Sequence, residues 1–568
     1  MHSAPSFVGA PQFFYSDTLE TVPYSSFALA NKNRTPVVYV GANDGMLHGF
    51  NADNASPNAG QELIAYVPSS VYPNLSKLTG VPYKHRYFVD GSVFEADAFI
   101  SGAWMSVLIG ALGGGGQGIF ALDVTNPGLF TEGNADNLVL WEFTDADDPD
   151  LGYTYGEPRV VKMANGQWAV IFGNGYNSSK ADGNASTTGH AVLYIVFIRG
   201  GIDGSWDTGD VIKLDTLAGS PGTPNGLASA APVDFNNDEI TDYIFAGDLE
   251  GNLWKFDVTN PNPAAWKVAY GGGTPQPLFT AVDSGGTGQP ITMRPDVALH
   301  PVGLGFLVNV GTGKYLEDSD NLSVGQQDQT FYGIWDKNEA TLLPFTRSHL
   351  LQQKILLEVD ASFDTDGDGT PDTTETVRTV SDNPINWHMD TGNPTGTPPS
   401  THLGWYMDLV NCDVAADGTT CTNTDNLGER TVTTPTIRTG RLIFETLIPS
   451  TDPCAFGGEG FLMEIDFRTG GQLAFSPFDL NNDLFFNNAD YVQVTYDVNG
   501  DGVVDTNDRI IASGIKQEAI PSAPVVVAGA NPGDAEVKLL GLSNGTIKPV
   551  RNNPGPGEEG RQSWRQLQ

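Results

Sequence analysis

Residues 226–260, GLASAAPVDFNNDEITDYIFAGDLEGNLWKFDVTN, set an acidic loop directly before a strand–turn–strand unit. In the loop, Asp234, Asn236, Asp238 and Asp242 fall at positions 1, 3, 5 and 9 of the register in which short loops wrap calcium with side-chain oxygens. In the unit, YIFAG and NLWKFD flank DLEG, with a glycine at each end of the turn, which predicts a β-hairpin over 243–257.

The hairpin pattern recurs. Seven apolar strand–turn–strand units begin at Val37, Met105, Trp168, Tyr243, Phe306, Arg441 and Val537. Most follow a short segment with a proline near its start: SAPSFV (3–8), GEPRVV (156–161), AAPVDF (230–235), MRPDVA (293–298), TTPTIR (433–438) and SAPVVV (522–527). Such a unit is similar to the inner strand and middle hairpin of a propeller blade, and seven units imply seven blades. The starts are separated by 68, 63, 75, 63, 135 and 96 residues, and the two long gaps contain the polar stretches 338–400 and 476–514. The expectation is one all-β domain over 1–568, a seven-bladed β-propeller with 338–400 and 476–514 as loop insertions on its rim.

Composition agrees with short strands and tight turns: 67 glycines and 37 prolines accompany many Val, Ile, Phe and Tyr, and no long run has helical period. A net charge of -39 repels phosphate backbones and anionic membranes, so nucleic acid is excluded as a partner and cations are favoured. Cys412, Cys421 and Cys454 form no CxxC pair. Cys412 and Cys421 flank a short polar loop that suits a local disulfide in an oxidising compartment, three reduced thiols being the plain alternative. No apolar run is long enough for a membrane-spanning helix. The opening MHSAPSFVGAPQ lacks the regions of a secretion signal, so any signal is expected upstream of these residues.

Two further loops fit the calcium register more fully. DTDGDGTPDTTE supplies Asp364, Asp366, Asp368, Asp372 and Glu375 at positions 1, 3, 5, 9 and 12, the Thr370 carbonyl at 7 and Gly369 at 6. DVNGDGVVDTND supplies Asp497, Asn499, Asp501, Asp505 and Asp508 in the same register, with Val503 at 7 and Gly502 at 6, and is similar to a dockerin-type loop. In 234–242 a glutamate, Glu239, stands where these two have glycine. A fourth stretch, DLNNDLFFNNAD, offers Asp479, Asn481, Asp483, Asn487 and Asp490 without the glycine, and a solvated acidic turn is an equal reading of it.

Two enzyme-like matches are set aside. Gly113, Gly115 and Gly118 satisfy G-x-G-x-x-G, yet IFALDV after them reads as a strand and not a phosphate-holding helix. Gly541, Ser543 and Gly545 satisfy G-x-S-x-G inside a hairpin turn. The eight histidines show no metal-binding pair. Phe50, Trp254, Phe256 and Trp335 read as packing between sheets, with a carbohydrate platform as the functional alternative.

Several phrases in order, YVGANDGMLHGFNA (39–52), LGYTYGEPRVV (151–161), FGNGYNS (172–178), FAGDLEGNLWKFDV (245–258), GERTVTTPTI (428–437) and LIPSTDPCAFGGEGFLMEID (447–466), resemble the C-terminal propeller of the PilY/PilC family of type IV pilus tip proteins. The resemblance implies a modified, quinoprotein-like propeller without enzymatic activity. It also implies a calcium loop D-x-[ND]-x-D-x-x-x-D, which falls on Asp234, Asn236, Asp238 and Asp242 with the Ile240 carbonyl between them. It further implies an extracellular place at the pilus tip or outer membrane, pilin partners, and host or abiotic surfaces as adhesion targets. The rivals from other classes are a pyrroloquinoline-quinone dehydrogenase, whose stacking Trp, basic residues and catalytic Asp are not identifiable here, and a secreted calcium-dependent lectin.

Overall fold

The computed structural model describes residues 3–555 except 181–182, 323–324, 340–343, 366–369, 415–420, 453, 499–502 and 530–532. The chain divides into two compact units, Met1–Pro277 and Leu278–Trp564, where the sequence reading had one domain.

In the first unit each hairpin belongs to an antiparallel sheet in which four strands follow one another in chain order. Ser6–Val8, Val37–Gly41, Leu47–Asn51 and Glu62–Tyr66 form the first. Val93–Ile100, Ala103–Ala111, Gly118–Asp123 and Val139–Thr144 form the second. The third comprises Arg159–Lys162, Trp168–Gly173, His190–Phe197 and Val211–Gly219. The fourth comprises Ala231–Val233, Tyr243–Gly247, Asn252–Asp257 and Lys267–Val268.

The sheets pack face to face because their central strands are apolar on both sides. In Trp168–Gly173 every residue is buried. Alternate side chains point to opposite faces of a strand. Val170 and Phe172 join Val107, Ile109 and Phe143 of the second sheet, whereas Ala169 and Ile171 join Ile244, Trp254 and Phe256 of the fourth. Trp254 is pinned from the turn, where its Nε1 donates to the buried Asp248 carboxylate at 2.8 Å. The sequence reading of Trp254, Phe256 and Trp335 as packing residues holds, while Phe50 is half-buried and stacks on His48.

In the second unit all three remaining hairpins form, but not as three separate blades. Phe306–Gly311 pairs with Thr330–Asp336, and Arg441–Glu445 with Gly458–Asp466. Both hairpins are parts of one twelve-stranded sheet. What joins them is Leu351–Phe363 and Thr373–Val380, an antiparallel pair between Gly404–Val414 and Gly514–Gln517. The expectation that 338–400 is a rim loop is therefore corrected. The sequences LQQKILLEVDASF and TTETVRTV on either side of its Asp and Gly cluster carry Ile, Leu, Val and Thr, which fit a pleated, half-buried surface. The stretch 476–514 contributes a two-stranded ladder, Val492–Gln493 with Arg509–Ile510. The last hairpin lies in a three-stranded sheet with Val525–Val527. Cys412 is disulfide-bonded and Cys454 is free and exposed.

Glu445 ends a fully buried strand. Neither of its carboxylate oxygens has a hydrogen-bond partner, and burial pushes its carboxyl up to about 8. Because the folded value lies above the ordinary one, the unfolded chain releases this proton first. The group's contribution is then complete below about pH 4.5 and is lost as the pH rises to about 8. The melting temperature of Glu445→Gln minus that of the wild type is expected to grow across that window and level off above it. A difference that is flat with pH would refute the assignment.

Candidate metal loops and their surroundings

The loop 234–242 connects Ala231–Val233 to Tyr243–Gly247, and its own acidic side chains fold it. Asp234 accepts from the amides of Asn237 (2.7 Å), Asp238 (3.2 Å) and Glu239 (2.9 Å). Asn236 Oδ1 accepts from Asp238 N at 3.0 Å, and Asp238 Oδ1 from Ile240 N at 2.9 Å. The loop is closed by Asp242, whose Oδ2 accepts from Phe235 N at 2.8 Å while its amide donates to Val233 O at 2.9 Å. Burial first, and then the charges of Asp238 and Asp234, hold the Asp242 carboxyl above its ordinary range against its backbone hydrogen bonds.

Glu239, the apparent defect in the motif, has φ +67°, the left-handed backbone that a glycine supplies at low cost. Its carboxylate also accepts from Ser16 N at 3.1 and 3.0 Å. Thr241 N donates to Lys162 O at 2.9 Å, and Lys162 Nζ donates to Leu19 O at 2.9 Å. The loop thus ties its own blade to the inner strand of the preceding blade and to the N-terminal segment. No sequence signal marks this, because Ser16 and Glu239 lie 223 residues apart.

In 364–375 the same closure recurs: Asp372 Oδ2 accepts from Thr365 N at 3.0 Å, and Asp372 N donates to Phe363 O at 2.9 Å. Asp366, Asp368 and Gly369 lie outside the described residues. Glu375, proposed for position 12, sits opposite Ala361 within the strand pair, and its carboxylate faces Lys548 Nζ at 3.4 Å. In 497–508 the closure runs through the last residue: Asp508 accepts from Val498 N and Asp505 N, both at 2.8 Å. Asn499, Asp501 and Gly502 are outside the described residues, while Asp497, Val503 and Asp505 are within them.

Carboxylate, amide and carbonyl oxygens in a short turn suit a hard cation, and the residues of 234–242 fit calcium in that chemical sense. Among the described residues, no three His, Cys, Asp or Glu side chains are gathered as a metal cage. The fit therefore rests on the donor set and the backbone of the loop.

The first unit also holds a cavity of about 680 Å³ lined by Lys77, Arg86 and Lys180. The glycine run 114–116, part of the discounted phosphate-loop match, forms one wall. A Cβ on Gly115 would lie 1.6 Å from the Phe88 carbonyl, so close backbone packing explains a glycine there. Asp145 shares the lining, and Lys180 Nζ donates to the Tyr153 hydroxyl and Lys77 Nζ to Asn74 Oδ1 at 2.6 Å.

Successive antiparallel sheets of four or five strands packed face to face, with an acidic loop set between inner strand and hairpin, define a β-propeller of the kind that carries acidic loops. The model of the PilY1 beta-propeller domain matches residues 1–367, and the chain belongs to that family. The type IV pilus biogenesis factor PilY1 of Pseudomonas aeruginosa PAO1 is 36% identical over the whole chain, which covers 45% of that protein. A PilY1 homolog of Xylella fastidiosa is 37% identical over 79% of the chain and 27% of its own length. The chain thus spans less than half the length of these relatives. The crystal structure of the P. aeruginosa PilY1 C-terminal domain matches with a TM-score of 0.71 and 32% identity, covering 97% of this chain and 100% of that one. The relatives are type IV pilus biogenesis factors and not dehydrogenases, so the similarity favours the pilus reading over the dehydrogenase alternative. Among the described residues, no helix is long and apolar enough to cross a membrane.

Proposed function

We propose that this propeller serves type IV pilus biogenesis outside the cell, at the pilus tip or outer membrane, where calcium in its acidic loops supports extension against retraction. The observation that carries the reading is similarity along the whole chain to PilY1 factors, joined to a loop whose donors and backbone suit a hard cation. Pilus subunits are the partners this implies. The basic cavity offers their acidic groups a contact within a surface that is otherwise strongly negative. Attachment to host or abiotic surfaces belongs to the same proposal.

In the organism that carries the gene, its deletion is expected to abolish most sheared surface pili. The wild-type gene should restore them, and an Asp238→Ala, Asp242→Ala allele should restore them with altered dependence on calcium. Unchanged pilus yield after deletion would overturn the pilus role. Wild-type behaviour of the double variant would overturn the calcium part alone.

A further inference from the structure

The stretch 479–490 repeats the build of 234–242 position by position. Position 6 donates to position 1 in both, Leu484 N to Asp479 Oδ2 at 3.2 Å and Glu239 N to Asp234 Oδ2 at 2.9 Å. Position 5 donates to position 3, Asp483 N to Asn481 Oδ1 at 3.2 Å, as Asp238 N does to Asn236. Position 7 donates to position 5, Phe485 N to Asp483 Oδ1 at 2.7 Å, as Ile240 N does to Asp238. Positions 4 and 6 are left-handed in both loops: Asn482 and Leu484 at φ +54° and +73°, Asn237 and Glu239 at +65° and +67°. The second half of the stretch instead matches 497–508. Asp490 accepts from Leu480 N at 2.8 Å and Asn487 N at 2.9 Å, just as Asp508 accepts from Val498 and Asp505.

A tidy acidic turn would satisfy itself, and this one does not. Asp479 is 8% exposed, and its carboxylate is turned into the loop against the Leu484 amide. Its Oδ2 also meets Arg551 Nε at 3.5 Å. Its Oδ1 is buried without a hydrogen-bond partner. A buried carboxylate oxygen left unpaired is costly unless a partner arrives. The neighbouring side chains at positions 3, 5 and 9 are Asn481, Asp483 and Asn487, with the Phe485 carbonyl at 7. All offer hard oxygens, and Asn481 Nδ2 also donates to Asp483 Oδ2 at 2.9 Å. The buried Phe478 and Leu480 anchor the start of the loop in the apolar cluster with Leu540 and Val550.

We propose that 479–490 is a further binding site for a hard divalent cation, of calcium type, with Asp479 Oδ1 as its buried ligand and Asp483 as its half-buried one. A flexible ring of carboxylate, amide and carbonyl oxygens accommodates calcium more readily than the strict octahedron of magnesium. The site stands independently of the pilus role and of the loop 234–242.

Phe485 is exposed, so Phe485→Trp places a sensitiser beside the loop without touching the core. The test titrates terbium alone into the whole chain carrying F485W in an Asp238→Ala background, with the F485 chain in the same background as reference. The expected result is indole-sensitised terbium emission above the reference, displaced by calcium and lost on adding either D479N or D483N. Because Asp483 is only half-buried, the D483N chain keeps its fold, as its circular dichroism should show. No emission above the reference, or emission that survives both substitutions, would overturn the site while leaving the pilus proposal untouched.

Discussion

Replacing Glu464 with alanine is expected to destabilise the second unit by roughly 3–5 kcal/mol, the range for removing one partner from a buried ion pair. Glu464 has no exposed side-chain surface, and neither do Arg441 and Lys538, which face it at 3.1 and 2.7 Å. Arg441 also meets Glu536 at 2.8 Å, and Arg438 pairs with Glu536 at the edge of the group. The network fastens Glu536–Gly541 and Ile547–Asn552 to the larger sheet, because Asn552 Nδ2 donates to Glu464 as well. Without the carboxylate, a buried ammonium is left with no counter-charge in contact, and burial already holds the Lys538 pKa below its ordinary range. Urea unfolding at unchanged slope measures the loss. A change under about 1 kcal/mol, as for a surface pair, would mean that water reaches this network.

The second large effect belongs to calcium. Without a cation, Asp234, Asp238 and Asp242 share one short turn, where burial first and then the charges of Asp238 and Asp234 raise the Asp242 carboxyl. A ligand that binds only the folded loop stabilises it by about 2.7 kcal/mol at a hundredfold excess over its dissociation constant. Extracellular calcium modules commonly bind at about 0.1–1 mM, so the gain should emerge toward millimolar calcium. Because Glu239 and Thr241 tie the loop to Ser16 and Lys162, the stabilisation should reach the blade and its neighbour. Amide exchange in Tyr243–Gly247 and Arg159–Lys162 should slow when calcium is added. Unaltered exchange there would show the loop to be energetically isolated.

The hairpins were legible because alternating apolar residues around a glycine turn have few other solutions, and all six proline-led segments indeed pair as neighbouring strands. The count of separate blades was not legible. Leu351–Phe363 binds Gly404–Val414 in parallel across a long loop, and a local pattern carries no trace of such a partner. Nor does a local pattern mark the buried charges Arg441 and Glu464, which meet within one sheet and are joined by Lys538 of the last one. At the loop 234–242 the oxygen register was plain. Glu239 looked like a fault, since a left-handed non-glycine residue costs on the order of 1–3 kcal/mol. Its carboxylate's bonds to the Ser16 amide offset that strain and give it a structural task.

The loop 234–242 is proposed as a calcium loop on which its blade depends. The most direct measurement is the thermal melting of the wild type, Asp238→Ala and Asp368→Ala with calcium varied from none to several dissociation constants. Asp238→Ala should lose most of the calcium-dependent rise in melting temperature, and Asp368→Ala, in the separate loop 364–375, should lose little of it. Equal losses in the two variants, or a full rise in Asp238→Ala, would contradict the claim and leave 234–242 an acidic turn that holds itself together.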